Sequence, residues 1–467
     1  MRIVIDMQGA QTESRFRGIG RYSLSLALAI ARNAGDHEVY LALSGLFPET
    51  IGPIRDAFRG LVPQERIRVW QAPGPMRWID ANNASRRAIA ERVREAFLET
   101  LDPDIVLVTS LFEGLGDDAI ISIGALGEPL PTAVILYDLI PLINPDEQYR
   151  TNPVYRGYYA DRIENLKRAR HLLAISESAR QEALGALPFS AEKVTNVSGA
   201  CDEMFTRVVP DADSLATLKR RLGVTRPFIM YTGGADARKN LPRLIEAFAH
   251  LPDTSRHHHQ LLFVGRMPQS EVSALRAHAQ RAGLRADELL FSDYISDEEL
   301  LALFSTCQLF VFPSLHEGFG LPPLEAMACG AVVIAADAAS LPEVMGSPEA
   351  LFDPQSVPAI SAKMHQALTD EGLRARLLEN ARIQAQAFSW DRSAKLVLQA
   401  IAPFDIALWD LKAKRAKLPL AKLLGAERDS VQCYNTSGGY LHTPLDQVLK
   451  NVDISRQSGI GGIKLKV

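Results

Sequence analysis

Short runs of aliphatic and β-branched residues alternate along most of the chain with longer stretches in which apolar positions return every three or four residues. "RIVID" (2–6), "EVYLAL" (38–43), "DIVLVT" (104–109), "TAVILYD" (132–138) and "HLLAIS" (171–176) have the length of buried strands. The longer period places helices over roughly 18–33, 85–100 and 153–169. Strand and helix in turn are the rhythm of a parallel sheet covered on both faces.

After "VTNVSGACDEMF" (194–205) a polar stretch, "VVPDADS", interrupts, and the alternation resumes with "PFIMYTGG" (227–234), "QLLFVG" (260–265), "CQLFVF" (307–312) and "AVVIAA" (331–336). The expected fold class is α/β, with two doubly wound parallel-sheet domains, 1–206 and 207–403, facing a cleft. A helical run over 357–402 closes the second domain, and Pro403 is the expected stop. Ligands in such folds sit beyond the carboxyl ends of the strands, so the cleft is the expected site.

From Phe404 the charge changes sign. Residues 404–467 carry 10 Lys/Arg against 6 Asp/Glu, which is +4, and 1–403 carry 41 against 49, which is −8. The tail reads as helix, strand (431–436), helix (444–458) and strand (462–467), a piece of a βα array.

With 467 residues, 47% hydrophobic and 23% charged, the chain exceeds one hydrophobic core. Its net charge of −4 gives no overall pull toward nucleic acid. Cys201, Cys307, Cys329 and Cys433 are too scattered for a disulfide framework or a zinc site, which fits a reducing compartment. His257, His258 and His259 are contiguous and cannot all face one ion, so they read as the solvated entrance to a strand. "MRIVIDMQGA" is expected to be a strand rather than a signal peptide, and no run of about 18 apolar residues occurs to span a membrane.

The chemistry gathers in four places. In "HEGFGLPPLEAMACG" (316–330) Pro322 and Pro323 begin a helix that Gly330 ends, with Glu325 expected in its first turn and Glu317 on the loop before it. Gly318 and Gly320 let a ligand approach the main chain, and carboxylates there can accept bonds from sugar or ribose hydroxyls. Taken alone, Glu325 could simply complement the helix dipole and Glu317 could be solvated.

"YTGGADARKN" (231–240) follows the first strand of the second domain. Gly233 and Gly234 precede Arg238 and Lys239, cations at a helix mouth that suit a diphosphate, though taken alone the pair would equally serve as solvated surface cations. "RFRGIGRY" (15–22) puts Gly18 and Gly20 at the start of the first long helix, which would also serve as a plain tight turn. "YDLIP" (137–141) puts Asp138 at a strand's carboxyl end, where catalytic groups cluster, with a plain strand-terminating aspartate as the competing account.

Together these residues resemble the retaining glycosyltransferases of the GT-B fold, in particular the family 4 group, over about residues 1–403. The resemblance implies that Glu317 contacts the donor sugar and Glu325 the nucleotide ribose. It also implies that Arg238 and Lys239 neutralise the diphosphate leaving group, with Gly18 and Gly20 against it from the other domain. Gly233, Gly234, Gly318, Phe319, Gly320 and Leu321 complete the implied donor site, and no metal or other cofactor is implied. Family members often have a histidine before the aspartate at 138, where this chain has Tyr137; Asp138 is carried over as a sugar-contacting residue.

"FRGIGRY" and "LYDLIPL" are most similar to mannosyl- or rhamnosyltransferases of bacterial O-antigen and polysaccharide assembly. This implies GDP-mannose as the favoured donor and a glycan or polyprenyl-linked acceptor, with the protein cytoplasmic and in peripheral contact with the inner membrane. Arg86, Arg87, Arg92 and Arg94 could form a basic helix face for lipid, but Glu91 and Glu95 interleave, which favours a solvated, ion-paired surface. The alternatives of other classes are a GT-B epimerase or phosphorylase, and a non-catalytic carbohydrate-binding protein.

The tail resembles the barrel domain of enolase-superfamily sugar-acid dehydratases through "DIALWDLKAK", "LPLAKLLGA" and "GIGGIKLKV", with Lys464 and Lys466 matching a K-x-K. That family's magnesium ligands lie on later strands and its capping domain comes earlier, so neither is expected in this chain, and the tail is expected to be an incomplete barrel without dehydratase chemistry.

Overall fold

The computed structural model describes residues 1–415, 417, 434–435, 450 and 462–463. Seven parallel strands form the first sheet: β1 Arg2–Asp6, β2 Glu38–Ser44, β3 Ile67–Trp70, β4 Ile105–Val108, β5 Thr132–Leu136, β6 His171–Ala174 and β7 Val194–Asn196. Their order is β3-β2-β1-β4-β5-β6-β7. The second sheet has β8 Phe228–Thr232, β9 Gln260–Val264, β10 Leu289–Phe291, β11 Leu309–Phe312, β12 Val333–Ala336 and β13 Leu351–Phe352. Its order is β10-β9-β8-β11-β12-β13, again all parallel.

In each sheet the direction of winding reverses beside the first strand, between β1 and β4 and between β8 and β11. Those are the places where helices leave opposite faces and open a crevice.

The strands are buried on both faces, so they read as unbroken apolar runs. Within β1, Ile3 and Ile5 join one core cluster and Val4 the other. The helix Gly18–Arg32 covers the first face with Leu26 and Ile30, and Pro153–Leu166 covers the second with Ile163 and Leu166. β3, β7, β10 and β13, of two to four residues, have no counterpart in the pattern reading.

The polar stretch after 205 ends at Asp211, whose carboxylate accepts from the Ser214 amide at 2.9 Å and caps the helix Ala212–Leu222. A second connection returns at Trp390, whose ring lies edge-on to Tyr22 at 4.9 Å. There Asn33 donates to Asp391 at 2.7 Å. The two lobes thus share one core cluster, to which Phe319 and Val197 belong.

Pro403 does not end its helix, which runs Trp390–Arg415. Proline removes one ladder bond, but the residues after it ("FDIALWDLKAKR") are mostly good helix formers, and propagation continues past the gap.

Met1–Phe404 form one compact unit and Asp405–Val467 another. In the second, Tyr434–Asn435 pairs in parallel with Gly462–Ile463, so parts of both strands expected in the tail are present. Cys433, Lys464 and Lys466 lie outside the described residues.

The arginine stripe on the helix Ala84–Thr100 is not one solvated face: Arg92 is exposed, but Arg94 is not. Arg94 is buried and pairs with buried Asp6 at 2.5 Å, and Arg87 lies 4.0 Å over the Trp78 ring. Glu95, also buried, accepts from Ser122. An interior ion pair satisfies Arg94 far better than periodicity alone suggests, since the stripe wraps onto the sheet.

Candidate active site

The loop after β8 turns sharply at Gly233, whose φ of 145° a side chain rarely adopts. A short 3-10 turn, Ala237–Lys239, follows, and the helix proper begins only at Leu241. Asn240 sits in the left-handed region at φ 60°. Its amide donates to the carbonyls of Pro313 and Pro354 at 3.1 and 2.8 Å, which fixes this loop to the one after β11. Arg238 and Lys239 are therefore aimed by a turn rather than by a helix start.

Across from them the loop after β11 delivers Glu317. Its carboxylate accepts from Lys239 Nζ at 2.6 Å and from Arg238 Nη1 at 2.9 Å. Burial pushes this carboxyl up, but Lys239 and Arg238 outweigh it and hold Glu317 below the usual range, so it stays ionised. Arg238 also donates to the His316 carbonyl at 3.1 Å and pairs with Asp236 at 2.8 Å.

The helix after this loop spans Leu321–Ala328, with Pro322 and Pro323 in its first turn. Glu325 is its fifth residue and lies beyond the first turn, so the expected dipole position is corrected. It faces Arg21 of the first lobe, at 4.0 Å, and Arg21 also bonds Asp297 at 2.9 Å. Burial lifts Glu325 to about 7; Arg21 opposes the shift, while Asp297 and Asp202 add to it.

The glycines have distinct uses. A Cβ on Gly318 would strike the Tyr137 carbonyl and crowd Asp138, so this position brings the second lobe onto the end of β5. A Cβ on Gly18 would stand 3.5 Å from Leu321, again across the cleft. Gly20 instead lies on the backbone of Ser14 and Arg15, within its own lobe. Gly234 receives the Tyr231 hydroxyl on its carbonyl at 2.8 Å, and Gly320 has φ 119° ahead of the helix. Phe319 goes to the shared core, edge-on to Phe388 at 5.4 Å, rather than to the open cleft.

Asp138 is half-buried, and its carboxylate accepts from the Ile140 amide at 3.1 Å. Burial raises it, the Ile140 bond and Arg238 lower it, and Glu182 and Glu317 raise it further. Tyr137 turns away from the cleft: its hydroxyl meets Ser23 and the carbonyls of Thr109 and Ile19 at 3.0, 3.0 and 3.2 Å.

Three cross-cleft contacts were not anticipated. Arg21 was visible beside Gly20 in the motif. His316, next to Glu317, donates from Nε2 to Glu182 at 2.6 Å, and its Nδ1 lies 2.7 Å from the Asn144 amide; nothing local marked Glu182 or Asn144. Glu343 accepts from the amides of Glu177 and Ser178 at 2.9 and 3.1 Å, capping a first-lobe helix from the second lobe. Glu113, beyond β4, was also missed. It accepts from Thr12, Ser14 and Ser110 at 2.9, 3.0 and 2.8 Å, and burial pushes it up to about 7.

A cavity of about 620 Å³ lies elsewhere, lined by Cys201, Arg207, Met327, Phe388 and Trp390 among others; Arg238, Lys239 and Glu317 do not reach it. Among the described residues no cluster of His, Cys, Asp and Glu is arranged to hold a metal ion.

Residues 217–384, which contain both loops of the ion-paired cluster, match the family of glycosyl transferases group 1. The chain carries a group 1 glycosyltransferase domain. It is 36% identical over 400 residues to the serotype-specific mannosyltransferase WbdA of Escherichia coli, covering 85% of this chain and 48% of that protein. It is 32% identical over 237 residues to the O-antigen chain mannosyltransferase B of Escherichia coli, 51% of this chain and 61% of that one. The chain thus spans about half the length of the first curated relatives it matches.

The two lobes share their fold with Anabaena HepE in complex with UDP and glucose, at TM-score 0.60 and 16% identity, covering 86% of this chain and 99% of that one. The fold is the GT-B arrangement of two parallel sheets.

Residues 344–425 match the mandelate racemase / muconate lactonizing enzyme N-terminal domain. A stretch of 72 residues is 83% identical to the L-talarate/galactarate dehydratase of Salmonella typhimurium, 15% of this chain and 18% of that protein. The likeness to that superfamily stands, but the expectation that none of its capping domain is present is corrected by the N-terminal-domain match. Within that match Ile360, Met364, Leu377 and Trp390 are buried in the core of the Met1–Phe404 unit.

Proposed function

We propose that this protein is a retaining glycosyltransferase that moves a hexose, mannose being favoured, from a nucleotide diphosphate donor to a glycan or lipid-linked glycan in O-antigen or polysaccharide assembly. The observation that carries the reading is the ion-paired cluster of Arg238, Lys239 and Glu317 at the cleft. Two cations held ready by one carboxylate can take up a diphosphate without reorganising at the moment of reaction.

In this reading the bond from the donor's anomeric carbon to the phosphate oxygen breaks, and the electron pair stays on the diphosphate. Arg238 and Lys239 stabilise that charge, and no metal is needed for it. The acceptor hydroxyl forms the new bond to the anomeric carbon on the same face, and its proton passes to the departing phosphate. Glu317, kept ionised by the same cations, lies where positive character develops on the sugar, with Asp138 close by from the other lobe. Glu325, opposite Arg21, is the proposed ribose partner. GDP-mannose is the proposed donor on the strength of the mannosyltransferase relatives.

A polyprenyl-linked acceptor would bring the protein, otherwise cytoplasmic in this reading, to the membrane surface. No described helix is long and apolar enough to cross a membrane.

The test is a panel of nucleotide sugars in thermal unfolding, since a ligand of the folded state raises its apparent stability. A rise with GDP-mannose and none with UDP-sugars supports the donor. Transfer that needs free phosphate would mark a phosphorylase instead, and transfer unchanged by Glu317→Ala and Lys239→Ala would overturn the assignment of the cluster.

A further inference from the structure

Beside Asp138 the first lobe gathers an aromatic group that the donor site does not use. The helix Glu147–Thr151 supplies Tyr149, the helix Pro153–Leu166 supplies Tyr155, Tyr158 and Tyr159, and the loop after β4 supplies Phe112. Phe112 stacks on Tyr159 at 5.0 Å, and Tyr149 meets Tyr159 and Tyr155 edge-on at 5.7 and 6.2 Å. Tyr155 lies 6.2 Å from Tyr159. Tyr158 anchors the group by donating to the Glu113 carbonyl at 3.0 Å.

Tyr158 and Tyr159 are buried, while Phe112, Tyr149 and Tyr155 are only half-buried and offer ring surface. The Tyr159 hydroxyl has no hydrogen-bond partner among the described residues, an unspent polar group that interiors seldom tolerate.

The group adjoins the cleft. It follows Asn144, which touches His316 next to Glu317, and Asp138 acts electrostatically on both Tyr155 and Tyr159. Carboxylates act on those two rings: Asp146, which accepts from the Tyr149 amide at 2.7 Å, Glu182, itself bonded to His316, and Asp138, beside Arg238.

Half-exposed rings flanked by carboxylates suit a neutral polyhydroxylated ring. The apolar face of the sugar covers the aromatic, and its hydroxyls donate to the acids. The same acids repel a phosphate, which is discrimination by an unfavourable contact.

We propose that Tyr149, Tyr155 and Phe112, with Asp138 and Glu182, form the acceptor subsite, and that it takes an uncharged pyranoside, such as the end of a glycan, rather than a phosphorylated sugar. The assignment of this shelf as an acceptor site rests on the sugar-transfer reading above.

The test uses the whole chain, GDP-mannose as donor, and methyl α-mannoside or mannose 6-phosphate as acceptor. Tyr155→Ala and Tyr149→Ala should each raise the KM for methyl α-mannoside about tenfold and leave the thermal shift with GDP-mannose unchanged. Tyr155→Phe, which keeps the ring, should restore the KM and controls for folding. Mannose 6-phosphate should be at least tenfold the poorer acceptor.

Binding of methyl α-mannoside to the protein alone, followed by saturation-transfer NMR, should weaken in Tyr155→Ala. An unchanged KM and unchanged NMR signal with the donor shift intact would overturn the shelf, and a preference for mannose 6-phosphate would overturn its neutral specificity. Absence of any nucleotide-sugar shift or transfer in the unaltered protein would sink the sugar-transfer reading itself; loss of the NMR signal in Tyr155→Ala would still mark the shelf as a sugar site.

Discussion

Lys239 Nζ stands 2.6 Å from Glu317 Oε1, and both side chains are almost nine-tenths buried. One carboxylate therefore serves two cations, since Arg238 reaches its other oxygen. Removing Glu317 leaves buried Lys239 without its counter-charge. Glu317→Ala should lose about 3–5 kcal/mol of stability, the usual result of breaking a buried pair from one side, read by urea unfolding. Lys239→Ala should cut kcat by about 10²–10³, as loss of a preorganised group facing developing charge does, read in a transfer assay with saturating donor.

The His316–Glu182 contact bridges the lobes one residue from Glu317. The bond to Glu182 raises His316, with burial opposing and Asp138 adding to the rise. A raised imidazole gives stability that is complete below its unfolded value of 6.5 and lost as the pH climbs through the folded one. The contact should therefore weaken on the alkaline side of 6.5. A double-mutant cycle of His316→Ala and Glu182→Gln at pH 6 should give a coupling of about 1–3 kcal/mol that shrinks at pH 9.

Glu113 and Glu325 act in a neighbouring window. Burial lifts each from 4.5 to about 7, so the folded protein binds more protons than the unfolded chain between those values. Stability should fall as the pH rises from 4.5 to 7, by at most about 3 kcal/mol per group. Glu113→Gln and Glu325→Gln should each flatten the profile measured by denaturant unfolding at a series of pH values; an equally steep profile in both would contradict the assignment.

Gly318→Ala tests the closeness of the lobes. The added methyl would have to displace the Tyr137 carbonyl, and main chain does not yield cheaply. Transfer should drop at least tenfold, with an increase in the radius of gyration by small-angle scattering. Gly185→Ala, in a helix with open space around the site, is the control and should leave transfer unchanged while stabilising the fold by up to about 1 kcal/mol.

The parts of the site carried by one loop were legible. Gly233, the Arg238–Lys239 pair and the Glu317-to-Glu325 spacing are local features, and each occupies the end of a strand that the apolar pattern already marked. Arg21 lay inside a motif but could not be assigned a partner, because Asp297 and Glu325 are hundreds of positions away. Arg94 misled for the same reason: its period along the helix is that of a surface, and only its contact with Asp6 makes it interior. Pro403 misled in the opposite sense, since a single missing bond was weighed above the helix-forming residues that follow.

By itself the sequence determined two parallel sheets, the cleft between them, and the residue types at the strand ends, because buried strands need continuous apolar runs and tight turns need glycine. Only the tertiary structure decided which charge meets which across the cleft, that Tyr137 faces inward, and that Phe319 packs rather than lines the opening. Those outcomes depend on how closely two separately folded lobes approach. Electrostatic and packing energies change steeply over a few ångströms, whereas distance along the chain carries no record of them.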